Sequence, residues 1–506
     1  MQYTLGQLGR YLTRFTIKWG KITIADNTSF NKAVALKTFQ YWLAAFLGIL
    51  LLLVMSCEAQ PDISTKIDQY VKAEIKRQQI PGLSLAVLRD GKIAVLKSYG
   101  LANVEHQVPV KPETVFQSGS IAKQFTATAV MILVEEGKIS LEDKITKYFT
   151  DAPESWKNIT VRHLLNHTSG MGDYPAEVDL RRDYTEDEYL AFIKKSPLIF
   201  ETGAKWDYSN IGYVTLGALI RKVTGKFYGD FLQERIFKPL GMTTARIISE
   251  ADIVPNRAAG YRLENGELKN QEWVSPSTNT TADGSLYFTI MDLAKWDAAL
   301  YTDKPLKQSS LAQMWTPAKL NNSKTKDYGF GWHTTRIGNR RLIHHGGAWQ
   351  GFKSYIVRFP DEKLTIILFA NLWDTKDMKF ARGLTSIFYP EFALPKAEPI
   401  EDKEPKVTIL VRQVLLQFTR GKADTELFTP KAQAKIFPNQ AKQIGEMLNS
   451  LSLPVAVIYT SELIERRDEN GFRVYRYLLN DMTRSLSVLV RLTKDNKIAE
   501  IELNSK

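Results

Sequence analysis

The residues of this sequence with the clearest potential for chemistry are Ser120 and Lys123, in the stretch FQSGSIAKQFTATAVMILVEEG. A helix is predicted to begin near Ser120, because Gly119 can end the preceding strand, and residues three apart share one helix face. The helix is apolar on nearly every side, which predicts burial. Burial disfavours the ammonium form and lowers the pKa of a lysine. A neutral amine beside a hydroxyl is a general base beside a nucleophile.

The spacing alone is a weak signal, because S-x-x-K occurs three times, at Ser29–Lys32, Ser120–Lys123 and Ser323–Lys326. The first pair precedes an apolar N-terminal run. The last lies in the polar stretch LNNSKTKDYG, where we expect a hydrated lysine. Only the middle pair has an apolar helix around it. The structural alternative is that Lys123 extends its ammonium group to solvent from the end of the helix.

Tyr208 and Asn210 form the only Y-x-N triplet of the chain, in WDYSNIGY. Residues two apart in an extended segment point to the same side. A phenol that can move a proton and a carboxamide that can hold a substrate carbonyl would then share one cleft. Taken alone, such a triplet is more often a simple turn.

The stretch RLIHHGGAWQGF places His344, Gly346 and Gly347 at the end of an apolar strand. Glycines there let another backbone or a ligand approach closely. Adjacent strand residues point to opposite faces, so His345 is expected to point away from His344. The two rings are therefore not expected to chelate one metal ion, and the sequence predicts neither a metal site nor a cofactor.

Composition and charge narrow the classes of function. The chain has 506 residues, 44% of them hydrophobic, which suits two or three folded domains. Of the formal net charge of +12, residues 1–57 carry +5 and the rest of the chain +7, and no arginine-rich block or basic helix stands out. This pattern favours a solvated surface or weak attraction to anionic envelope polymers, and no nucleic-acid partner is predicted.

The single cysteine, Cys57, ends the uncharged run TFQYWLAAFLGILLLLVMSC, residues 38–57. Its length suits a membrane-spanning helix or a signal-peptide core. The ending LVMSC resembles a bacterial lipobox, in which the cysteine receives lipid. A lipoprotein and an uncleaved anchor both remain open. In either case residues 58–506 are expected to face outward from a bacterial membrane.

The pattern of turns and periodicities predicts four segments. Residues 1–57 are the basic segment and anchor, and 58–393 form a mixed domain with strands at both ends and helices between. The proline-rich stretch LPKAEPIEDKEPK, 394–406, is predicted to be a linker. Residues 407–506 are predicted to form a smaller α+β domain, with helices to about 450 followed by strands. It resembles the cone-shaped folds of the nuclear-transport-factor-2-like and cystatin-like kinds, and a passive accessory role is the simpler alternative.

The order S-x-x-K, Y-x-N, H-x-G resembles the serine β-lactamase/penicillin-binding-protein family in its class C-like branch. Further blocks follow in the family's order, among them ITVRHLLNHTSGM, IFKPLGMTTARI, ADGSLYFTIMDLAKWDAAL and YGFGW. The resemblance runs from about residue 64 to 390. It implies an α+β, β-lactamase/transpeptidase-like fold, in which an antiparallel sheet flanked by helices carries a helical subdomain.

The resemblance also implies roles for individual residues. Ser120 would be the acylated nucleophile, and Lys123 and Tyr208 would share the proton transfers. Asn210 would contact the substrate carbonyl, and His344 and Gly346 would occupy the third motif. His345, between them, would be a strand residue that points away from the site. The backbone N–H groups of Ser120 and Gly347 would form the oxyanion hole.

A histidine in the third motif bears on the substrate. Family members with histidine there are more often peptidases or esterases than lactamases, because a histidine's charge is conditional. The sequence therefore predicts an envelope hydrolase of small peptides, amides or esters, with peptidoglycan-derived peptides among the candidate substrates. The alternative is a slowly deacylating penicillin-binding sensor or envelope scaffold with little turnover.

Overall fold

The computed structural model describes residues 62–452 and 454–505. Cys57, the apolar run before it and the predicted anchor lie outside the described residues. Within the described ranges, none of the helices combines the length and apolar character that a bilayer crossing needs. Residues Ile63–Lys506 cluster as one compact unit.

A seven-stranded antiparallel sheet lies at the centre of this unit, in the order β11-β12-β13-β14-β1-β2-β3. Asp90-Gly91 joins two neighbouring antiparallel strands of this sheet, and both residues have positive φ, of 51° and 69°, as a tight hairpin turn requires. The strands of the sheet are β1 Gly82–Arg89, β2 Lys92–Asn103, β3 Val108–Pro109, β11 His333–Ile337, β12 Arg340–Trp349, β13 Phe352–Phe359 and β14 Leu364–Ala370.

Helices and short strands occupy the long connection between β3 and β11. The helices there are α2 Lys123–Glu135, α3 Val161–Leu165, α4 Glu186–Lys195, α5 Asn210–Thr224, α6 Tyr228–Leu232, α7 Ile290–Ala299 and α8 Gln308–Met314. The short strands are β4 Phe116–Gln117, β5 Arg246–Ile247, β6 Tyr261–Glu264, β7 Glu267–Asn270, β8 Leu286–Phe288, β9 Ala318–Lys319 and β10 Thr325–Lys326. This is the predicted antiparallel sheet with a helical insertion, and the predicted fold class is confirmed.

The two faces of the sheet enter two different cores, because side chains alternate along a strand. On β12 and β13, Ile343 and Ile356 join the core that contains α2 and the helical insertion. Leu342 and Val357 join the other core, together with α1 (Ile63–Gln78) and α9 (Asp377–Phe388). Ile121 and Ala122, which directly follow the predicted nucleophile Ser120, belong to the first of these cores.

The C-terminal region has four helices followed by a four-stranded antiparallel sheet in the order β15-β16-β17-β18. Its elements are α10 Pro405–Thr419, α11 Pro430–Ile436, α12 Asn439–Asn449, α13 Pro454–Tyr459, β15 Glu462–Glu469, β16 Phe472–Asn480, β17 Ser485–Leu492 and β18 Ile498–Ser505. Its apolar side chains belong to the same core as the second face of the central sheet. The division at residues 394–406 stays a prediction.

Candidate active site

Ser120 lies in a short 3₁₀ turn, Gly119–Ala122, that leads directly into α2. Gly119 has φ +53°, a backbone conformation that L side chains rarely adopt. A Cβ atom on Gly119 would collide with the backbone nitrogen of Ala348 on β12. Glycine is therefore required here for two reasons, and it lets the turn that carries Ser120 lie directly against β12.

Lys123 is fully buried at the start of α2, and its amine has three neighbours. Lys123 Nζ donates to Asn210 Oδ1 at 2.7 Å and to the backbone carbonyl of Asp283 at 2.6 Å. Ser120 Oγ lies 3.2 Å from the same nitrogen. A neutral amine has two N–H donors and one lone pair. With both donors used on carbonyl oxygens, the lone pair is left for the Ser120 hydroxyl.

Burial lowers the pKa of Lys123 to about 8, although the carboxylates of Asp283 and Asp173 act in the opposite direction. The Lys123 ammonium would also lie over the rings of Tyr208 and Tyr213, at 4.8 and 5.5 Å from their centroids. At pH 7 about a tenth of the amine is therefore unprotonated and able to act as a base, and this fraction rises through pH 8. The alternative of a lysine extended to solvent is wrong.

Tyr208 and Asn210 are held at the N-terminus of α5 by their neighbours. The Ser209 hydroxyl between them accepts from the Gly212 N–H at 3.0 Å and caps the helix. The Ser209 N–H donates to His167 Nδ1 at 3.2 Å, and the His167 ring packs against Tyr208 with centroids 4.4 Å apart. The triplet is therefore a fixed helix cap that turns both functional side chains towards Lys123.

Burial raises the pKa of Tyr208 well above its ordinary value. Its hydroxyl lies close to Ser120 but makes no hydrogen bond of normal geometry to any of the described residues. A phenol in this state keeps its proton over the working pH range, so it can donate that proton but is a poor base. Asn210 uses Oδ1 on Lys123, and its Nδ2 faces outward at 3.3 Å from Asp173 Oδ2.

Strand β12 places its two histidines differently from the prediction. His344 and Gly346 share the face that packs against Tyr355 and α9. The Tyr355 hydroxyl lies 2.9 Å from His344 Nδ1, and a Cβ on Gly346 would be 3.0 Å from Asp377 Oδ2. The predicted placement of His344 and Gly346 in the substrate site is therefore corrected. The strand register turns both away from Ser120.

His345 and Gly347 occupy the face of β12 that meets the Ser120 turn. The His345 ring lies 6.2 Å from the Tyr208 ring between centroids, so the prediction that His345 points away from the site is wrong. A Cβ on Gly347 would collide with the carbonyl oxygen of Ser118. The expected close backbone approach therefore occurs at Gly347, where the oxyanion hole was predicted.

Hydrogen bonds determine the tautomer of His345. Its Nδ1 lies 2.6 Å from the carbonyl oxygen of Gly346, so that nitrogen must be the donor. Its Nε2 then accepts from the Tyr328 hydroxyl at 3.0 Å. Burial lowers the pKa of His345 to about 3. The histidine that β12 presents to the site is therefore His345, and its imidazole is neutral at physiological pH.

Lys326, in the third S-x-x-K pair, is not hydrated as expected. Burial lowers its pKa to about 8, and Nζ donates to the carbonyl oxygens of Asn449 and Leu451. Ser323, its partner in the motif, is exposed. Lys326 therefore has a lowered pKa like that of Lys123, but no serine hydroxyl among the described residues is hydrogen-bonded to its amine.

Sequence reasoning missed three residues that shape the site: Asp283 through its backbone carbonyl, His167 through its packing on Tyr208, and Tyr328 through His345. Each lies in a block that resembles the family, namely ADGSLYF, NHTSGM or YGFGW. The resemblance of these blocks to the family indicated that the three regions matter, but it did not show which contact each residue makes. Among the described residues, no group of three or more histidine, cysteine, aspartate or glutamate side chains is arranged to hold a metal ion.

Residues 67–386 match the family described as Beta-lactamase. The chain belongs to this family. The match covers more than half of the chain and includes Ser120, Lys123, Tyr208, Asn210 and the whole of β12.

Relatives within the Beta-lactamase family are hydrolases and penicillin-binding proteins by name. Penicillin-binding protein 4* of Bacillus subtilis is 31% identical over 314 residues, which are 58% of this chain and 69% of that protein. The solved D-amino acid amidase of Ochrobactrum anthropi is 30% identical, with a TM-score of 0.55 over 62% of this chain and 91% of that one.

The fold likeness extends beyond the matched family domain. An octameric penicillin-binding protein homologue from Pyrococcus abyssi has a TM-score of 0.59, and it covers 87% of this chain and 99% of that one. At 21% identity this similarity concerns the fold alone. Together with the family membership, these relatives make the chain a serine hydrolase of the β-lactamase-related type.

Proposed function

We propose that the chain hydrolyses small peptides, amides or esters through an acyl-enzyme on Ser120. The observation that carries this proposal is the arrangement around Lys123 Nζ, where two carbonyl oxygens take its N–H donors and Ser120 Oγ lies 3.2 Å away. A neutral amine so held has its lone pair directed at the hydroxyl that must lose a proton.

In acylation, Lys123 takes the proton of Ser120 while Oγ bonds to the substrate carbonyl carbon. The tetrahedral oxyanion forms beside the Ser120 N–H and the N–H groups of the Gly347–Ala348 segment, which lies against the Ser120 turn. Each such donor contributes roughly 3 kcal/mol to transition-state stabilisation. Tyr208, whose phenol keeps its proton, gives that proton to the leaving amine or alkoxide. In deacylation, water attacks the acyl carbon and gives a proton back to Tyr208. The bond from the acyl carbon to Ser120 Oγ then breaks, Oγ takes back the proton held by Lys123, and the free acid is released.

The charge of the site favours substrates without a carboxylate at this position. His345 is neutral, so it offers no permanent cation to attract one. Asp283 and Asp173 both act on Lys123, and Asp173 is exposed beside Asn210. An amino-acid amide or ester with a free ammonium group suits this field better than the carboxylate of a penicillin. The names D-amino acid amidase and penicillin-binding protein among the relatives support both substrate classes, and the charge of the site is the reason to place the amide or ester first.

We further propose that the protein acts at the outer side of a bacterial membrane, held by Cys57 lipidation or by an uncleaved helix. The apolar run 38–57 with lysine before it and polar sequence after it supports this localisation. In that compartment the substrates would include peptides derived from peptidoglycan. Replacing Cys57 by serine separates the two anchors, because a lipoprotein would leave the membrane fraction and an uncleaved helix would remain in it.

A substrate panel tests the proposed activity. We expect turnover of D- and L-amino-acid p-nitroanilides and p-nitrophenyl esters, with free amines preferred to their N-acetyl forms, and slower turnover of penicillin. Ser120→Ala should remove all of it, whereas Ser323→Ala, the matched change in the exposed S-x-x-K pair, should not. Stable penicillin acylation without amide or ester turnover would favour the sensor instead.

A further inference from the structure

The C-terminal region contacts the wall of the candidate active site through Lys326. Lys326 Nζ donates to the backbone carbonyl oxygens of Asn449 at 2.8 Å and of Leu451 at 3.0 Å, where α12 ends. The same nitrogen lies 4.8 Å from the centroid of the Trp206 ring. Cations are favoured at the C-terminus of a helix and over the face of an indole, so both contacts stabilise the ammonium form. One side chain thus connects α12 to Trp206, which lies two residues before Tyr208.

The two carbonyl groups that accept from Lys326 are held in place by other contacts of the C-terminal region. Asn449 Nδ2 donates to the carbonyl oxygen of Thr419 at 2.8 Å, which joins the ends of α12 and α10. Ser452 donates both its N–H and its hydroxyl to Asp481 Oδ2, at 2.9 and 3.0 Å. The segment from Asn449 to Ser452 is therefore fixed on both sides, and it offers Lys326 a preformed pair of acceptors.

Trp206 packs against the rings that surround Tyr208. Its ring centroid lies 6.1 Å from that of His167 and 5.7 Å from that of Tyr328. His167 packs on Tyr208 with centroids 4.4 Å apart, and the Tyr328 hydroxyl donates to His345. The Tyr208 hydroxyl itself makes no hydrogen bond of normal geometry to any of the described residues. Because no such bond fixes this phenol, its position depends on the packing of the rings around it.

We propose that Lys326 is a positioning residue for Tyr208, and that the C-terminal region takes part in catalysis through it. This inference rests on the proposed acyl transfer, in which Tyr208 gives its proton to the leaving group. Lys326 is held by the end of α12 and fixes Trp206, and Trp206 fixes the rings that pack on Tyr208. A passive accessory role for residues 407–506 would instead leave the proton transfer unchanged when this contact is lost.

The leaving group of the substrate distinguishes the positioning of Tyr208 from general damage to the fold. Ethoxide needs a proton as it departs, whereas p-nitrophenolate leaves without one, so only an ethyl ester depends on Tyr208 as an acid. Unfolded protein lowers the rates of both esters equally. The experiment therefore uses the full chain and compares kcat/KM, which reports acylation, between the ethyl and p-nitrophenyl esters of one amino acid.

We expect Lys326→Met to lower the ratio of ethyl to p-nitrophenyl ester hydrolysis by roughly tenfold, a part of the whole effect of a general acid. Lys326→Arg should restore most of this ratio, because a guanidinium also donates to two carbonyl groups and stacks on an indole. Asn449→Ala, which releases the end of α12 from Thr419, should lower the ratio by a smaller factor. Lys319→Met is the matched control and should keep the wild-type ratio, since Lys319 is an exposed lysine on β9, the strand paired with β10.

An unchanged ratio in Lys326→Met, or an equal fall in Lys319→Met, would overturn the proposal. The same holds for a Lys326→Arg variant that melts like the wild type but has the low ratio of Lys326→Met. A wild-type chain that cleaves only the p-nitrophenyl ester would also overturn it, because no proton donor would then serve the leaving group. A wild-type chain that cleaves neither ester, or full activity of Ser120→Ala, would contradict the proposed acyl transfer itself.

Discussion

At the scale of single residues, the protonation state of Lys123 decides whether Ser120 can be activated. Burial lowers the pKa of this amine, and the acidic groups of Asp283 and Asp173 limit how far it falls. The result, a pKa of about 8, leaves the base active near neutral pH while Tyr208 stays protonated. One lysine and one phenol with pKa values moved in opposite directions supply the base and the acid.

We expect kcat/KM to rise with pH to a plateau, with a midpoint near the Lys123 pKa of about 8. The neutral amine is the active form, so activity is lost as pH falls. Lys123→Met should lower kcat by roughly 10²–10⁴-fold. Asp173→Asn removes a charge that favours the ammonium, so it should move the midpoint to lower pH. Ester hydrolysis measured across about pH 5 to 10 tests all three.

Lys326→Met is the matched control for this experiment, because burial lowers the pKa of Lys326 to about 8 as well. It removes a partly buried lysine of similar pKa whose amine does not contact Ser120, so the midpoint of the pH profile should stay unchanged. A rate independent of pH across this range, or a Lys123→Met variant as active as the wild type, would remove Lys123 from the role of base.

The residue types at the site could be predicted from the sequence, but the contacts of β12 could not. Ser120, Lys123, Tyr208 and Asn210 do come together, because their local patterns fix one helix face and one helix cap. The histidines are adjacent on one strand, and a shift of one residue exchanges the two faces. The packing of Ile343 and Leu342 into different cores shows which face of β12 each residue takes. His345 shares the face of Ile343 and therefore lies beside Tyr208.

At the scale of secondary-structure elements, the site depends on the contact between the Ser120 turn and β12. The turn lies against Gly347 and Ala348 without room for a side chain on Gly119. This contact brings the nucleophile at the start of α2 and the backbone N–H groups of β12 to one place. The sequence predicted both elements, but their separation of more than 200 residues hid the close approach.

Gly119→Ala should lower both stability and activity. It forces a side chain into a positive φ and into the backbone of Ala348, and overpacking of this kind costs about 1–3 kcal/mol in addition to the φ strain. Thermal melting and ester hydrolysis measure the two effects. We expect activity to fall further than the melting temperature would explain, because the turn carries Ser120.

The control for this change is Gly137→Ala, since Gly137 also has a positive φ, +68°, but has nothing within 4 Å of an added Cβ. It should lose only the stability that φ strain costs and should keep full activity. Equal losses of activity in the two alanine variants would show that the contact with β12 does not matter for catalysis.

At the scale of the whole molecule, charged contacts join the C-terminal region to the rest of the compact unit. Glu462, at the start of β15, has its side chain almost fully buried. It pairs with Arg77 of α1 at 3.1 Å, with Lys376 at 2.8 Å and with Lys379 of α9 at 2.5 Å. These ion pairs could not be predicted from the sequence. A proline-rich stretch is typical of a linker whether or not the segments on either side of it pack together.

Glu462→Ala should destabilise the protein by about 3 kcal/mol, the low end for breaking a buried ion pair, because the three cations left facing one another keep some solvent exposure. Burial alone would raise the pKa of Glu462, but Lys376 and Lys379 hold it below its ordinary value of 4.5. The stabilisation is therefore present at neutral pH and is lost as pH falls below that value. Urea unfolding at pH 7 and at acid pH measures both.

Glu401→Ala provides the comparison, since the ion pair of Glu401 with Lys403 is 81% exposed on both sides. Its effect should stay within about 0.5 kcal/mol. If Glu462→Ala were equally harmless, the C-terminal region would not depend on this ion cluster for its position.

The most direct test of the central claim is intact-mass spectrometry of the protein during reaction with a fluorescent penicillin and with a p-nitrophenyl ester, followed by peptide mapping. The account predicts one acyl adduct, on Ser120, which disappears as free acid is released. It should be absent from Ser120→Ala and present in Ser323→Ala. An adduct on another residue, or product release by the Ser120→Ala variant at the wild-type rate, would contradict it.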